Sequence, residues 1–260
     1  MNPLVTSAIL AIVLFFALIA AQYAGRLIGR RRIARDGEKD KTAGGVVEGA
    51  VFALLGLLLA FTFNGADNRF ETRRAQVVEQ VNALSSVWMR IDLLPTADQP
   101  PIRNLFKRYV DALRAAPESM GNPAELSRFA AELDALQDQL WRLCIESVNR
   151  DGRPQVATLL VPPLNESFDL STSRLAVARI NVHPAIISML IALSLIAGFL
   201  AGHTYAAARR PDWLHMMVFA ALIAATLYFI MDFEYPRFGG LITLDSADVF
   251  MDELRAGMGE

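Results

Sequence analysis

The sequence contains one cysteine, Cys144, and three histidines, His183, His203 and His215. A lone cysteine excludes an internal disulfide and any metal site built on cysteines. No two histidines stand at i, i+4 and no HExxH occurs, so a zinc-binding helix is not encoded. Each histidine lies at the edge of an apolar run and reads as an interfacial polar residue. There is no G-x-S-x-G elbow, no Walker A loop and no G-x-G-x-x-G turn. Gly239–Gly240 reads as a turn rather than a phosphate cradle. Charged residues are 20% of the chain and the net charge is −2, so no global basic field points to nucleic acid. With nucleophile, base and metal constellations missing, an enzyme is the least supported class, with no catalytic residue, metal or cofactor expected.

What the sequence has in excess is apolar residues, 53% of the total, unevenly placed. A membrane-spanning helix needs about 20 mostly apolar residues. Four segments qualify: Leu4–Tyr23, Val46–Phe63, Pro184–Tyr205 and Leu214–Met231. Glu48 lies within a turn of the start of the second and can reach the interface. The first run is longer than a signal-peptide core and no Lys or Arg precedes it, so it reads as a retained span. Arg26, Arg30, Arg31, Arg32, Arg35, Lys39 and Lys41 follow the first span, and Arg209 and Arg210 separate the third from the fourth. The positive-inside bias puts both loops in the cytoplasm and the large middle region outside. The expected location is a cell membrane, crossed several times. The cluster Arg26, Arg30, Arg31, Arg32 and Arg35 reads as an orientation signal that also attracts anionic lipid headgroups, roughly 1 kcal/mol per charge. Its place beside a span favours that over nucleic-acid binding.

The middle region is patterned for helices. Phe70, Val77, Val81, Leu84, Trp88 and Ile91 form a heptad-type seam continuing the second span, so one long helix is predicted to leave the membrane. Pro95 and Pro100–Pro101 end it. Ile102, Leu105, Tyr109 and Leu113 mark a shorter helix. Asn122–Pro123 reads as a cap opening another, with Leu126, Phe129, Leu133, Leu136, Leu140 and Leu143 on one face. Cys144 falls near that face and reads as a buried small residue. Val161–Pro162–Pro163 predicts a break or kink. Leu164, Phe168, Ser171, Leu175, Ala178 and Val182 then predict a last helix running into the third span at Pro184. Each seam fits either the core of an antiparallel bundle or a contact between subunits. The sequon Asn165-Glu166-Ser167 falls inside a predicted helix. Leu241–Leu244 is a weak strand candidate.

The expected fold is therefore an all-α integral membrane protein, with four transmembrane helices and a helical bundle inserted between the second and third. The divisions fall at 1–64, 65–182, 183–232 and 233–260, the last an acidic tail. Two features invite a sharper reading. Ala53, Leu57 and Phe61 align at i, i+4, i+8 on the second span; they suit lipid contact or helix packing, or a hydrophobic constriction of a pore. Asp232, Glu234, Asp245, Asp248, Asp252 and Glu253 are oxygen ligands of the kind calcium takes, but without EF-hand spacing; a solvated acidic tail is the simpler account.

The stretch GLLLAFTFNGADNRFETRR, Gly56–Arg74, resembles the end of the second span of bestrophin channels: a Phe closing an apolar helix, then an Arg–aromatic pair and another Arg, here Phe61, Arg69–Phe70 and Arg74. PRFGG at Pro236–Gly240 is similar to the Pro-Phe-Gly turn after the last bestrophin span. LNESFDLSTSR at Leu164–Arg174, DLLP at Asp92–Pro95 and the run from Gly56 to Asn82 resemble a group of bacterial integral membrane proteins described as bestrophin-like. The resemblance implies a homopentamer in the bilayer around one pore, Ala53, Leu57 and Phe61 as its neck, and chloride or another small ion as the permeant species. Thr62 stands where bestrophins place a basic residue, and the tail lacks the animal calcium clasp, so calcium gating is not implied. The resemblance also implies a cytosolic helical region, against the charge count. The functional expectation is an oligomeric anion channel; the alternative is a membrane-anchored helical sensor or scaffold without transport.

Overall fold

The computed structural model of the chain describes residues 3–36, 42–115, 123–177, 180–207, 212–235 and 241–259. Among them every regular element is helical: α1 (Pro3–Asp36), α2 (Thr42–Arg90), α3 (Gln99–Arg114), α4 (Pro123–Asp151), α5 (Pro154–Val177), α6 (Pro184–Thr204), α7 (Trp213–Glu234) and α8 (Asp245–Gly257). Four helices are long and apolar enough to cross a bilayer: Val5–Arg35, Gly45–Leu93, Pro184–Ala207 and Trp213–Glu234. The protein is an all-α, multi-pass membrane protein, with α3–α5 inserted between its second and third spans. The chain divides into two compact units, Met1–Phe70 with Asn181–Ile242, and Glu71–Ile180 with Thr243–Glu260.

In the membrane unit α1 packs on α6 and α7. Apolar burial supplies little force between helices in lipid, so close approach of small residues must. Two small-xxx-small pairs provide it, Gly25 with Gly29 on α1 and Gly198 with Gly202 on α6. A Cβ added at Gly25 would stand 2.0 Å from the Phe199 carbonyl oxygen, and one at Gly202 only 1.8 Å from that of Gln22. The backbones touch, and no side chain fits between them. Leu14 and Leu18 extend the packed face, while Gln22 Nε2 donates to the Met216 carbonyl at 3.1 Å, tying α1 to α7.

The expected loop after the first span is, through Asp36, the continuation of α1. Arg26, expected at the membrane surface, is instead 4% exposed on the packed side of the helix. It follows Gly25, whose own backbone meets α6. Lys39, Lys41, Arg209 and Arg210 lie outside the described residues.

The helical unit has its own core. Val77, Leu84 and Ile91 on the α2 seam are buried, as are Ile102, Leu105, Tyr109 and Leu113 on α3 and Leu133, Leu136 and Leu140 on α4. In this unit the seams serve packing within the chain. Proline at the first turn of α3 needs no N–H there, and Pro123 opens α4 in the same way. The preceding Asn122 is outside the described residues.

Three expectations for the chain after α4 are corrected. Of the break or kink expected at Pro162–Pro163, the break does not occur: α5 runs through both. Pro163 has no N–H to give the Leu159 carbonyl four residues back, and Arg90 Nη1 donates to that oxygen instead, at 2.6 Å. Nor does α5 continue into the third span. It ends at Val177, and residues 180–183 are not helical. Pro184 disfavours helical backbone at the residue before it; His183 sits at φ −62°, ψ 132° and accepts from the Ala185 N–H, capping α6. Finally, Leu241–Leu244 is not a strand and the acidic segment after it is not simply solvated. Residues 245–257 form α8, which packs on α3 through buried Met251. Asp252 pairs with Arg114 at 2.6 Å and Arg255 with Asp111 at 2.7 Å, so its charges are partly spent on the bundle.

Candidate functional site along the second span

The membrane-spanning part of α2 has two contrasting faces. Leu55, Leu59, Ala66 and Phe70, spaced 4, 7 and 4, are buried against the rest of the unit. The spacing is helical, so the opposite face must point away. It carries the sequence-predicted stripe: Ala53 is exposed, Leu57 is 53% exposed and Phe61 is 66% exposed. The structure brings these three together on one face, as i, i+4, i+8 spacing requires, and among the described residues this face stays exposed. Thr62 is turned inward, its hydroxyl donating to the Leu58 carbonyl at 2.8 Å.

α2 is held to the unit by polar contacts near both ends of its apolar stretch. At one end Glu48 accepts from the Thr204 hydroxyl and lies 4.0 Å from His203 Nδ1. Glu48 therefore meets α6 rather than simply reaching the interface. At the other end Arg69 donates to Glu234 Oε1 through Nε at 2.8 Å and Nη2 at 2.5 Å. The second oxygen of Glu234 accepts from the Val182 N–H at 3.2 Å. One carboxylate thus joins α2, the end of α7 and the segment leading into α6. Asp232, one of the buried polar groups, accepts from the Ile242 N–H at 3.0 Å. Phe233 points between them onto Phe63 and Phe70, edge to face, with centroids 5.4 and 5.6 Å away.

This cluster redefines the acidic residues weighed as calcium ligands. Asp232 and Glu234 are buried and committed to internal donors, whereas Asp252 belongs to the other unit. Among the described residues no group of three or more His, Cys, Asp or Glu side chains is arranged to hold a metal ion. His203 faces Glu48, His183 caps α6, and His215 contacts Asp212 through Nδ1 at 2.6 Å. Cys144 is fully buried in the helical unit, and its thiol is pushed up to about 12 by that burial. Such a thiol is no nucleophile near neutral pH.

The Arg–aromatic pair after the second span and the apolar helix before it are now seen as one construction, repeated in the order of elements around it. The family model of the bestrophin-like domain matches residues 11–247, most of the chain. The protein belongs to the bestrophin-like domain family. No curated protein and no solved structure shows a significant match. Within this bestrophin-like chain, Phe61 and Arg69–Phe70 occupy described positions on α2; the PRFGG segment, Pro236–Gly240, lies outside the described residues.

Sequence reasoning found the stripe and named Glu234 as an oxygen ligand, but missed its pairing with Arg69 and the glycine contact. The signal for that pairing was two carboxylates, Asp232 and Glu234, closing an apolar run, where an unpaired charge is costly and a partner is therefore required. The signal for the glycines was their four-residue spacing in two different spans.

Proposed function

We propose that this bestrophin-like protein is an oligomeric ion channel, selective for anions, in which α2 lines the pore and Ala53, Leu57 and Phe61 form its hydrophobic constriction. The observation that carries this reading is the poor burial of α2 within its own chain. In its most apolar stretch 11% of the residues are buried, against 22% in that of α1 and 28% in those of α6 and α7. A helix anchored at both ends, yet bare along one apolar face, is suited to line a space that further copies would enclose. Constrictions of this kind gate by dewetting, so side-chain bulk at Leu57 and Phe61 sets the barrier. Family membership agrees with a channel, a ring of five copies is what the resemblance implies, and chloride is the expected ion. By the positive-inside bias, the arginine-rich end of α1 faces the cytoplasm.

The test is chloride efflux from liposomes holding the purified protein, with wild type beside Leu57→Ala and Phe61→Ala at matched reconstitution. Flux above that of empty liposomes, altered in either variant, is the expected result. No flux of chloride, nor of potassium in a parallel run, from folded protein overturns the channel and leaves a membrane-anchored helical sensor or scaffold.

A further inference from the structure

The five arginines after the first span do not form one surface. Arg26 is buried, whereas Arg30 is exposed but turned back on the chain, its Nε donating to the Ala206 carbonyl at 3.4 Å. Arg31, Arg32 and Arg35 are exposed too, on a helix that is continuous through Asp36. They stand at the end of a bare apolar face. Ile9, Ile12, Val13, Phe16, Leu27 and Ile28 are all exposed along α1, the last two at 42% and 50%. On a helix, residues four apart share a face. Leu27 therefore lies directly beneath Arg31, and Ile28 beneath Arg32. The change from aliphatic to cationic takes place within one turn.

Two aromatic side chains stand about one turn before that change, since Tyr23 precedes Leu27 by four residues. Tyr23 and Trp213 stack with centroids 6.4 Å apart, and each is about half exposed. Tyrosine and tryptophan concentrate where hydrocarbon meets headgroups. The span Val5–Arg35 has 31 residues, so at 1.5 Å per residue it is about 45 Å long, well beyond the ~30 Å hydrocarbon core. With Tyr23 at the boundary, Arg31 and Arg32 stand ~12–14 Å further along the axis. Their long side chains can reach back over Leu27 and Ile28 into the headgroup layer.

The geometry points to a binding surface for anionic phospholipid headgroups on the outer face of α1, made by Arg31, Arg32 and Arg35 above Leu27 and Ile28. The occupant is a lipid because charge and apolar surface are contiguous. A soluble polyanion such as RNA would satisfy the guanidinium groups and leave the two aliphatic side chains in water, whereas a phospholipid covers both. The three arginines are planar donors suited to the phosphate diester, and each opposite charge near the surface contributes about 1 kcal/mol. This inference is independent of whether the protein conducts ions.

The test uses the full chain in mixed micelles holding equal amounts of phosphatidylglycerol and phosphatidylcholine, with retained lipid counted by native mass spectrometry. Wild type is expected to enrich phosphatidylglycerol at least about fivefold, the factor one such charge contributes. The triple variant Arg31→Gln, Arg32→Gln, Arg35→Gln is expected to fall below twofold, and the corresponding triple lysine variant to keep most of the enrichment. Equal retention of the two lipids by wild type overturns the proposal, as does undiminished enrichment in the glutamine variant. Retention of RNA without a lipid preference overturns it in favour of nucleic acid. Should the triple glutamine variant fail to fold, Arg31→Gln and Arg32→Gln alone, each on an exposed face, are read in the same way.

Discussion

Arg69 and Glu234 form a two-pronged ion pair in which the arginine side chain is 28% exposed and the carboxylate 2%. The pair is asymmetric: solvent reaches one partner and not the other. Glu234 depends on Arg69 and on the Val182 N–H for compensation of its charge. The pair joins the outgoing end of the second span to the end of the fourth, while Val182 belongs to the short segment that leads into the third.

Removing one partner of such a pair costs about 3–5 kcal/mol, because the other is left charged in a poorly solvated site. Arg69→Gln is therefore expected to lower stability strongly, measured by thermal unfolding in mild detergent. Glu234→Gln removes the buried charge itself and should cost less. The double variant should be less unstable than the sum of the singles, with a coupling of about 1–3 kcal/mol. Additive effects would show that the carboxylate is not held by Arg69.

The glycine contact gives a second prediction with an internal control. Gly202→Val places a side chain where the Gln22 backbone lies 1.8 Å from the new Cβ, so α1 and α6 must separate. Gln22, which also ties α1 to α7 through Met216, is the residue displaced. A large drop in melting temperature, or loss of folded protein, is expected. Gly56 on α2 has nothing within 4 Å of a new Cβ. Gly56→Ala should be neutral or stabilising by up to about 1 kcal/mol, through helix propensity alone. Comparable losses from both variants would refute close backbone contact as the cause.

The legible and illegible parts of the fold separate by range. Spans, the long helix through Phe70 and Ile91, and the α3 and α4 core faces depend on hydrophobic period, which a local window contains. The stripe Ala53, Leu57 and Phe61 was visible for the same reason, and its exposure follows from Leu55 and Leu59 facing the other way. What could not be read locally was compensation from a distant residue. The double proline in α5 looks like a break until Arg90, 69 positions earlier, supplies the donor its helix lacks. Asp232 and Glu234 look like the start of a solvated tail until Ile242 and Arg69 are brought beside them. The segment after Ile242 likewise looks free until Asp111 and Arg114 on α3 meet it.

Cys144 supplies a prediction with a defined pH direction. Its thiol is fully buried in the helical unit, where burial disfavours the thiolate and raises the pKa from 9.0 to about 12. Between those values the unfolded chain has lost this proton and the folded chain has kept it. Unfolding then releases a proton, so stability falls as pH rises above about 9. Below 9 the thiol is protonated in both states and contributes no slope. At pH 10 the loss is about 1.5 kcal/mol, from the tenfold excess of thiolate in the unfolded chain. Tyr109, also buried and raised above its usual range, adds a loss of the same sign at higher pH. Comparing wild type with Cys144→Ala isolates the thiol, since Tyr109 is common to both. The melting temperature of wild type should fall more steeply between pH 8 and pH 10 than that of the alanine variant. In the native protein at pH 8, iodoacetamide should label Cys144 only as fast as the helical unit opens, and denaturant should accelerate labelling by orders of magnitude. Equal pH slopes together with rapid native labelling would show that the thiol is reached by solvent and that α4 does not bury it.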